Sequence, residues 1–164
     1  MTLVFDYAII KHGQKYGISM DKLDDILKFW EKDSKVDDTE PSREIIRVPM
    51  LHSKYLKIMT EHNMAAKKSN FECTKLRRLK WEYYTGKMSQ DELEEHGWEP
   101  FRYTLKSDVS TYLESDDDLI KLLQKKIYHE EAVEVCKAII KELGARTWQL
   151  REHMTHERFI QGAR

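Results

Sequence analysis

The chain has 164 residues, of which 40% are hydrophobic and 35% charged, with only six Gly and three Pro. This length predicts a single domain, and the scarcity of turn-forming residues favours long helices over a β-sandwich or barrel. No apolar run is long enough to span a membrane, and the N-terminus lacks the basic start of a secretory signal. Because the two cysteines also suit a reducing compartment, we expect a cytoplasmic protein.

The formal net charge of -1 conceals a strong segregation of charge along the chain. Residues 50–87 carry nine Lys and Arg against three Glu, a net charge of +6. Residues 88–118 carry two cations against ten carboxylates, a net charge of -8. The total is therefore uninformative about partners, whereas the distribution predicts one basic segment beside one acidic segment.

The N-terminal part of the chain is predicted to contain one short helix. Ser19 and Asp21, followed by apolar residues at a helical spacing, predict a capped amphipathic helix at about residues 20–32. A polar stretch follows it. Residues 20–49 are thus expected to hold this helix and a polar linker, with Pro49 marking the next start.

A helical core is predicted over residues 50–164, and its first element is a long helix. No Gly or Pro occurs from Met50 to Tyr84, and apolar or small residues recur every three or four positions. This pattern predicts one helix of about residues 50–85, ended at Gly86 by the usual logic of a glycine C-cap.

The second half of the core is predicted to be an acidic connector and another long helix. Within the connector, residues 86–116, the alternation at residues 101–106 is typical of a short strand or an extended arm. Asp116–Asp118 then provides carboxylates for the N-terminus of a helix of about residues 117–160, in which Gly144 is a candidate break.

Two long helices joined by a short irregular segment predict a mainly α fold, a helical hairpin. A lone hairpin of this length exposes too much apolar surface to be stable as a monomer, so we expect self-association. The periodicity does not determine the number of subunits.

The stretch from Lys75 to Gly86 is the strongest candidate for a binding site. This stretch contains four cations, which neutralise phosphates, followed by three aromatic rings, which stack on unpaired bases. The cations are Lys75, Arg77, Arg78 and Lys80, and the aromatic residues are Trp81, Tyr83 and Tyr84. Lys67 and Lys68 extend this group on the same predicted helix. The alternative interpretation is a solvated helix face, with Trp81 and Tyr83 buried in a subunit contact.

Other clusters of polar residues have simpler explanations than a site. The carboxylates at 116–118 are explained by helix capping, and those at 92, 94 and 95 by a solvated face or by competition for the chain's own basic segment. His153 and His156 lack a third metal ligand, and both cysteines are expected to be buried thiols. No phosphate-binding loop or nucleophile motif occurs, so we expect no enzymatic activity, cofactor or metal.

Several segments together resemble a known family. The first long helix opens with Met50-Leu-His-Ser-Lys-Tyr-Leu and ends with a basic pair and Glu82-Tyr-Tyr-Thr-Gly, as in the UvsY-type recombination mediators of tailed phages. The segment Ile140-Lys-Glu-Leu-Gly-Ala-Arg-Thr-Trp-Gln-Leu, with Phe159-Ile-Gln-Gly after it, is similar to the terminal helix of that family. The resemblance covers about residues 20–164, so residues 1–19 have no counterpart in it. We expect them to be either an N-terminal extension or upstream sequence included by the choice of start site, since Met20 is a natural start.

This resemblance implies a homo-oligomeric ring, a hexamer or heptamer, that binds single-stranded DNA. It further implies that the protein helps load the phage recombinase onto strands covered by the phage single-strand-binding protein, during recombination-dependent replication and repair in the host cytoplasm. The family's DNA-binding pair falls on Arg78 and Lys80, and the charge band adds Arg77, Lys75, Lys68 and Lys67. The resemblance also places oligomer contacts at Leu143, Trp148, Leu150 and Phe159.

The rival interpretation is a helical structural or regulatory adaptor oligomer of a phage that does not bind DNA. Its cations would only solvate a helix face. Affinity for single strands that falls steeply with salt distinguishes the two classes.

Overall fold

The computed structural model describes residues 22–101, 105 and 107–162, and these residues are mainly α-helical, as predicted. The predicted extension, residues 1–19, and most of the predicted extended arm lie outside them. The described residues form the helices α1 (Leu23–Asp33), α2 (Pro41–Tyr84), α3 (Gln90–His96), α4 (Val109–Glu114) and α5 (Asp117–Ile160). They contain no strand, and none of these helices is both long and apolar enough to cross a membrane.

Helix α2 begins well before the predicted start at Pro49. It starts at Pro41, where a proline is favourable because the first helical N–H needs no partner within the helix. Pro49 lies inside the helix and removes the N–H that would bond the carbonyl of Ile45. Burial of Leu51 and Tyr55 within the next two turns offsets that local cost. The polar linker is therefore shorter than predicted.

The other predicted helix boundaries agree better with the structure. Gly86 follows α2 with a φ of 68°, the left-handed conformation that the predicted glycine end requires. Ser89 and Glu92 form a reciprocal capping box at the start of α3. Helix α5 continues through Gly144, so the candidate break there was wrong.

The described chain divides into two compact units, and both long helices contribute to each. The first unit contains the described residues up to Ile58 and those from Ala138 onward. The second unit is Met59–Lys137, with the C-terminal part of α2, helices α3 and α4, and the N-terminal part of α5.

The core of the first unit lies where α1 packs against parts of α2 and α5. Its buried apolar residues include Ile26, Leu51, Tyr55, Leu143 and Leu150. The carboxylate of Asp33, at the end of α1, accepts hydrogen bonds from Lys54 Nζ at 2.8 Å and from the Tyr55 hydroxyl at 3.0 Å.

A buried arginine closes the end of α1 in the same unit. The Arg146 guanidinium donates to the backbone oxygens of Asp33 at 3.0 Å and Ser34 at 3.3 Å. Carbonyls at a helix C-terminus lack partners within the helix, so a cation suits this position chemically and electrostatically.

The second unit pairs α2 and α5 in antiparallel orientation, because His62 meets His129 at one end and Lys80 meets Asp118 at the other. The two imidazole Nδ1 atoms lie 3.0 Å apart in a buried position. Burial, with a smaller effect of His62, lowers the pKa of His129, so the neutral form of His129 is favoured. Cys136 is buried there as predicted, and burial raises the pKa of its thiol to about 11.

Adjacent substitutions in α5 test the packing of the first unit. Leu143 has no exposed surface, so Leu143→Ala should lower the free energy of unfolding by about 2–5 kcal/mol in a urea titration. Gly144→Ala is the matched control, because a methyl group there meets no atom within 4 Å. It should raise stability by roughly 0.5–1 kcal/mol through better helix propensity. Unchanged stability in Leu143→Ala would contradict this packing.

Candidate nucleic-acid interface

Five of the six predicted DNA-binding cations lie exposed on α2 within the second unit. We call this set the basic band; it consists of Lys67, Lys68, Lys75, Arg77 and Arg78. At about 100° per residue, Lys67, Lys75 and Arg78 share one side of the helix, because they lie two and three turns apart. Arg77 projects from the other edge of the exposed surface.

Arg78 is a highly exposed member of the basic band. Its side chain is 81% exposed, and its Nε donates to Glu82 Oε1 at 3.0 Å. An exposed pair one helical turn apart contributes only about 0.3–0.5 kcal/mol. A phosphate can therefore replace Glu82 at little cost.

Lys80, the sixth of the predicted DNA-binding cations, is buried and paired with carboxylates. The residue is 7% exposed, and its ammonium lies 2.9 Å from Asp116 Oδ2 and 3.0 Å from Asp118 Oδ2. The same ammonium lies 4.5 Å from the centre of the Trp98 ring. Its charge is thus already neutralised inside the protein, on the side of α2 that faces α5.

Asp116 is the centre of this network and also the N-cap of α5. Its Oδ1 accepts the backbone N–H groups of Asp118 at 3.0 Å and Leu119 at 3.1 Å. Its Oδ2 accepts the Tyr84 hydroxyl at 2.8 Å in addition to the Lys80 ammonium. The capping role predicted for this carboxylate is present, together with a long-range ion pair that the sequence pattern does not contain.

The ionisation of this network follows from its contacts. Burial disfavours the charged form of Asp116, but hydrogen bonds from Lys80, Leu119 and Tyr84 outweigh it and lower the carboxyl pKa. Burial likewise opposes the charge on Lys80, and the two aspartates outweigh it and raise the ammonium pKa. The ion pair therefore persists across the neutral pH range.

The aromatic residues after the band are mostly internal. Tyr83 packs against Trp98 with ring centres 4.9 Å apart, and Tyr84 stacks on Tyr112 at 5.5 Å. Tyr83 lies seven positions after Leu76 and four after Leu79, a spacing that places it on the apolar side of the helix. Trp81 is 39% exposed, and Lys87 Nζ lies 4.1 Å from its ring centre.

Sequence reasoning missed Phe71, which is 66% exposed and the most exposed aromatic residue among the described residues of the second unit. It lies one turn after Lys67, one turn before Lys75 and two turns before Arg78. Phe71 and these cations are three, four and seven positions apart, the spacing of residues on one helix face, and this pattern could have indicated Phe71 from the sequence. The sequence analysis considered instead the denser group of cations and aromatic residues from residue 75 onward.

The predicted oligomer contacts separate into two kinds within the first unit. Leu143 and Leu150 are buried in the core of the unit, at 0% and 7% exposure. They are therefore occupied by contacts within the chain. Trp148 and Phe159 are 68% and 82% exposed and lie three turns apart on α5.

No group of three or more His, Cys, Asp or Glu side chains in the described residues is arranged to hold a metal ion. His153 and His156 are both exposed on α5. Among the described residues, neither histidine belongs to a group of three potential metal ligands. Cys73, predicted to be a buried thiol, is only partly buried on α2.

The fold and this surface define a class: a mainly α-helical protein that presents a band of cations on an exposed helix face. The chain matches the model of the family described as recombination, repair and ssDNA binding protein UvsY over residues 29–163, and it belongs to that family. The match begins within α1 and continues beyond the end of α5.

Solved structures with the same fold come from bacteriophage T4. Crystals of its recombination mediator protein UvsY in lattice type II give 22% identity and a TM-score of 0.73, covering 87% of this chain and 98% of that chain. Lattice type IV gives 19% identity and a TM-score of 0.71, with coverages of 85% and 98%. Lattice type I gives 21% and 0.71, with coverages of 82% and 98%. No curated protein sequence matches the chain significantly.

The Lys80 network should support the fold of the second unit, whereas Arg78 should not. Lys80→Met leaves Asp116 buried without its cation, so the free energy of unfolding should fall by about 3 kcal/mol. Arg78→Met is the matched control, with an expected change within about 0.5 kcal/mol. Urea denaturation followed by circular dichroism measures both. Equal stability of the two variants would show that the buried ion pair contributes little.

Proposed function

We propose that this chain is a recombination mediator that binds single-stranded DNA and helps load the phage recombinase onto strands covered by the phage single-strand-binding protein. The observation that carries the proposal is the basic band, which is exposed on one helix of a chain that belongs to the UvsY family. Its setting is homologous recombination, and recombination-dependent replication and repair, in the cytoplasm of the infected host.

The proposed DNA contacts are the exposed cations of the basic band, with Arg78, Lys75 and Lys67 on the most exposed side. Each phosphate that they neutralise releases condensed counterions, so the affinity depends on salt and not on sequence. We assign Lys80 to positioning: it joins α2 to the start of α5 and so keeps the band facing outward. This assignment replaces its expected role as a phosphate ligand.

The proposed mechanism is non-enzymatic and depends on several copies of the band. In a ring of six or seven subunits, one strand contacts a band on each subunit in turn. Several weak, salt-sensitive contacts on one assembly give a high effective concentration and strong total binding. A strand held this way has weakened contacts with its covering protein and is presented to the recombinase in extended form.

Salt dependence tests the DNA-binding proposal. Fluorescence anisotropy with a labelled oligonucleotide should give an affinity that falls steeply with salt. Arg78→Gln and Lys75→Gln should each make the slope of log K against log salt less negative, by about 0.7 for each phosphate that is no longer neutralised. Lys141→Gln, which removes the same charge in the first unit, is the control and should change neither affinity nor slope.

Two results would change the proposal. Binding that is absent or independent of salt would reject the mediator and favour a structural or regulatory adaptor that does not bind DNA. Lys80→Met should leave the slope unchanged while the variant is folded. A change in slope equal to that of Arg78→Gln would show that Lys80 binds a phosphate.

The exposed apolar residues near the end of α5 test the proposed assembly. A second copy that covers Trp148 and Phe159 removes their exposed area from water, which is the main favourable term in association. Trp148→Glu and Phe159→Glu should therefore lower the particle mass measured by light scattering, since a buried unpaired charge is costly. Ile46→Glu, at a residue 78% exposed on α2, is the control. An unchanged mass in all three variants would place the subunit contacts elsewhere.

A further inference from the structure

The exposure of Phe71 is unexplained by the packing of the second unit. The residue is 66% exposed on α2, where the buried side is formed by smaller residues that face α5. An exposed phenyl ring gains nothing from solvation, so a single such residue is neutral at best. Its neighbours make it informative: Lys67 lies one turn before it, Lys75 one turn after it, and Arg78 two turns after it on the same side.

Phe71 also lines an open groove of about 600 Å³ between α2 and α5 in the second unit. Lys67, Asn63 and Asn70 line the same side, and Val133 lies on the α5 side. In the described part of the chain, the side-chain amides of Asn63 and Asn70 form no hydrogen bond. The groove thus combines an aromatic face, two amides with unused donors and acceptors, and an ammonium group.

The charges of the groove favour an anionic occupant. The carboxylates on its α5 side are paired, Glu134 with Lys137 at 2.7 Å and Glu130 with Lys126 at 3.7 Å. Lys67 has no ion pair among the described residues, so the groove carries an excess positive charge. A purely apolar occupant would leave the two amides without partners, whereas the edge of a base offers them both donors and acceptors.

We propose that Phe71 stacks on an unpaired base of single-stranded DNA, with Asn70 at the edge of that base, Asn63 at a nucleotide farther along the strand, and Lys67, Lys75 and Arg78 on the flanking phosphates. This inference rests on the proposed function and adds the base contact to it. Phe71 lies about 6 Å along the helix from Lys67 and about 10 Å from Arg78. Those separations correspond to roughly two to three nucleotides of a stacked strand. Every base has a π-face, so the contact is insensitive to sequence.

Three variants separate stacking from apolar contact. Phe71→Leu keeps an apolar side chain without a π-face and should weaken binding of a labelled oligonucleotide by about 5- to 100-fold. Phe71→Trp should retain the wild-type affinity. Ile46→Ala removes exposed apolar surface from the same helix in the first unit and should change nothing. The slope of log K against log salt should be the same in all of them, since none alters a cation.

An oligonucleotide of the same length with abasic positions provides the test on the ligand side. Wild-type protein should bind it more weakly than the base-bearing strand, and this difference should be smaller in Phe71→Leu, which keeps the amide contacts but not the stacking. Equal binding of the two strands by wild type, with normal affinity in Phe71→Leu, overturns the stacking proposal while DNA binding stands. A lower particle mass of Phe71→Leu by light scattering also overturns it, because the residue is then a contact between copies. Absence of binding to either strand by wild type rejects the proposed function itself.

Discussion

The carboxylate of Asp116 is the contact on which the second unit depends. One oxygen accepts two backbone N–H groups at the start of α5, and the other accepts the Tyr84 hydroxyl and the Lys80 ammonium. The cap supplies partners for the first N–H groups of α5, and Lys80 and Tyr84 connect α2 to the same carboxylate. One buried anion therefore serves as a cap, an ion-pair partner and a hydrogen-bond acceptor. Removing its cation leaves a charge in a place where water cannot compensate for it.

Polar residues inside the helix contacts give each unit its register. His62 and His129 face each other in the second unit, and Arg146 reaches the carbonyls at the end of α1 in the first. An apolar stripe alone permits neighbouring registers of similar energy, whereas a hydrogen-bonded pair is satisfied in only one. The same alignment turns the cations of the basic band outward. Their exposure is thus a consequence of the register and not of charge alone.

Much of this architecture could be predicted from local patterns. The mainly α fold, the helix end at Gly86, the capping of α5 and the internal position of Tyr83 follow from periodicity and end chemistry, which act over one or two turns. The start of α2 at Pro41 was missed because a proline inside a helix has a cost that packing can offset. Burial of Leu51 and Tyr55 within the following two turns supplied that packing, and no local rule includes it.

By itself, the sequence determined that a basic segment lies on a long helix and that the chain resembles the UvsY family. Only the tertiary structure decided which cations are available. Arg78 and Lys80 differ by two positions, yet the first is exposed and the second is paired with a carboxylate 38 residues away. It also decided that Phe71 remains outside the packing while Tyr83 and Tyr84 lie within it. The physical reason is that helical periodicity is a property of neighbouring residues. The partner of a buried charge depends instead on packing between distant parts of the chain, which spacing in one segment does not contain.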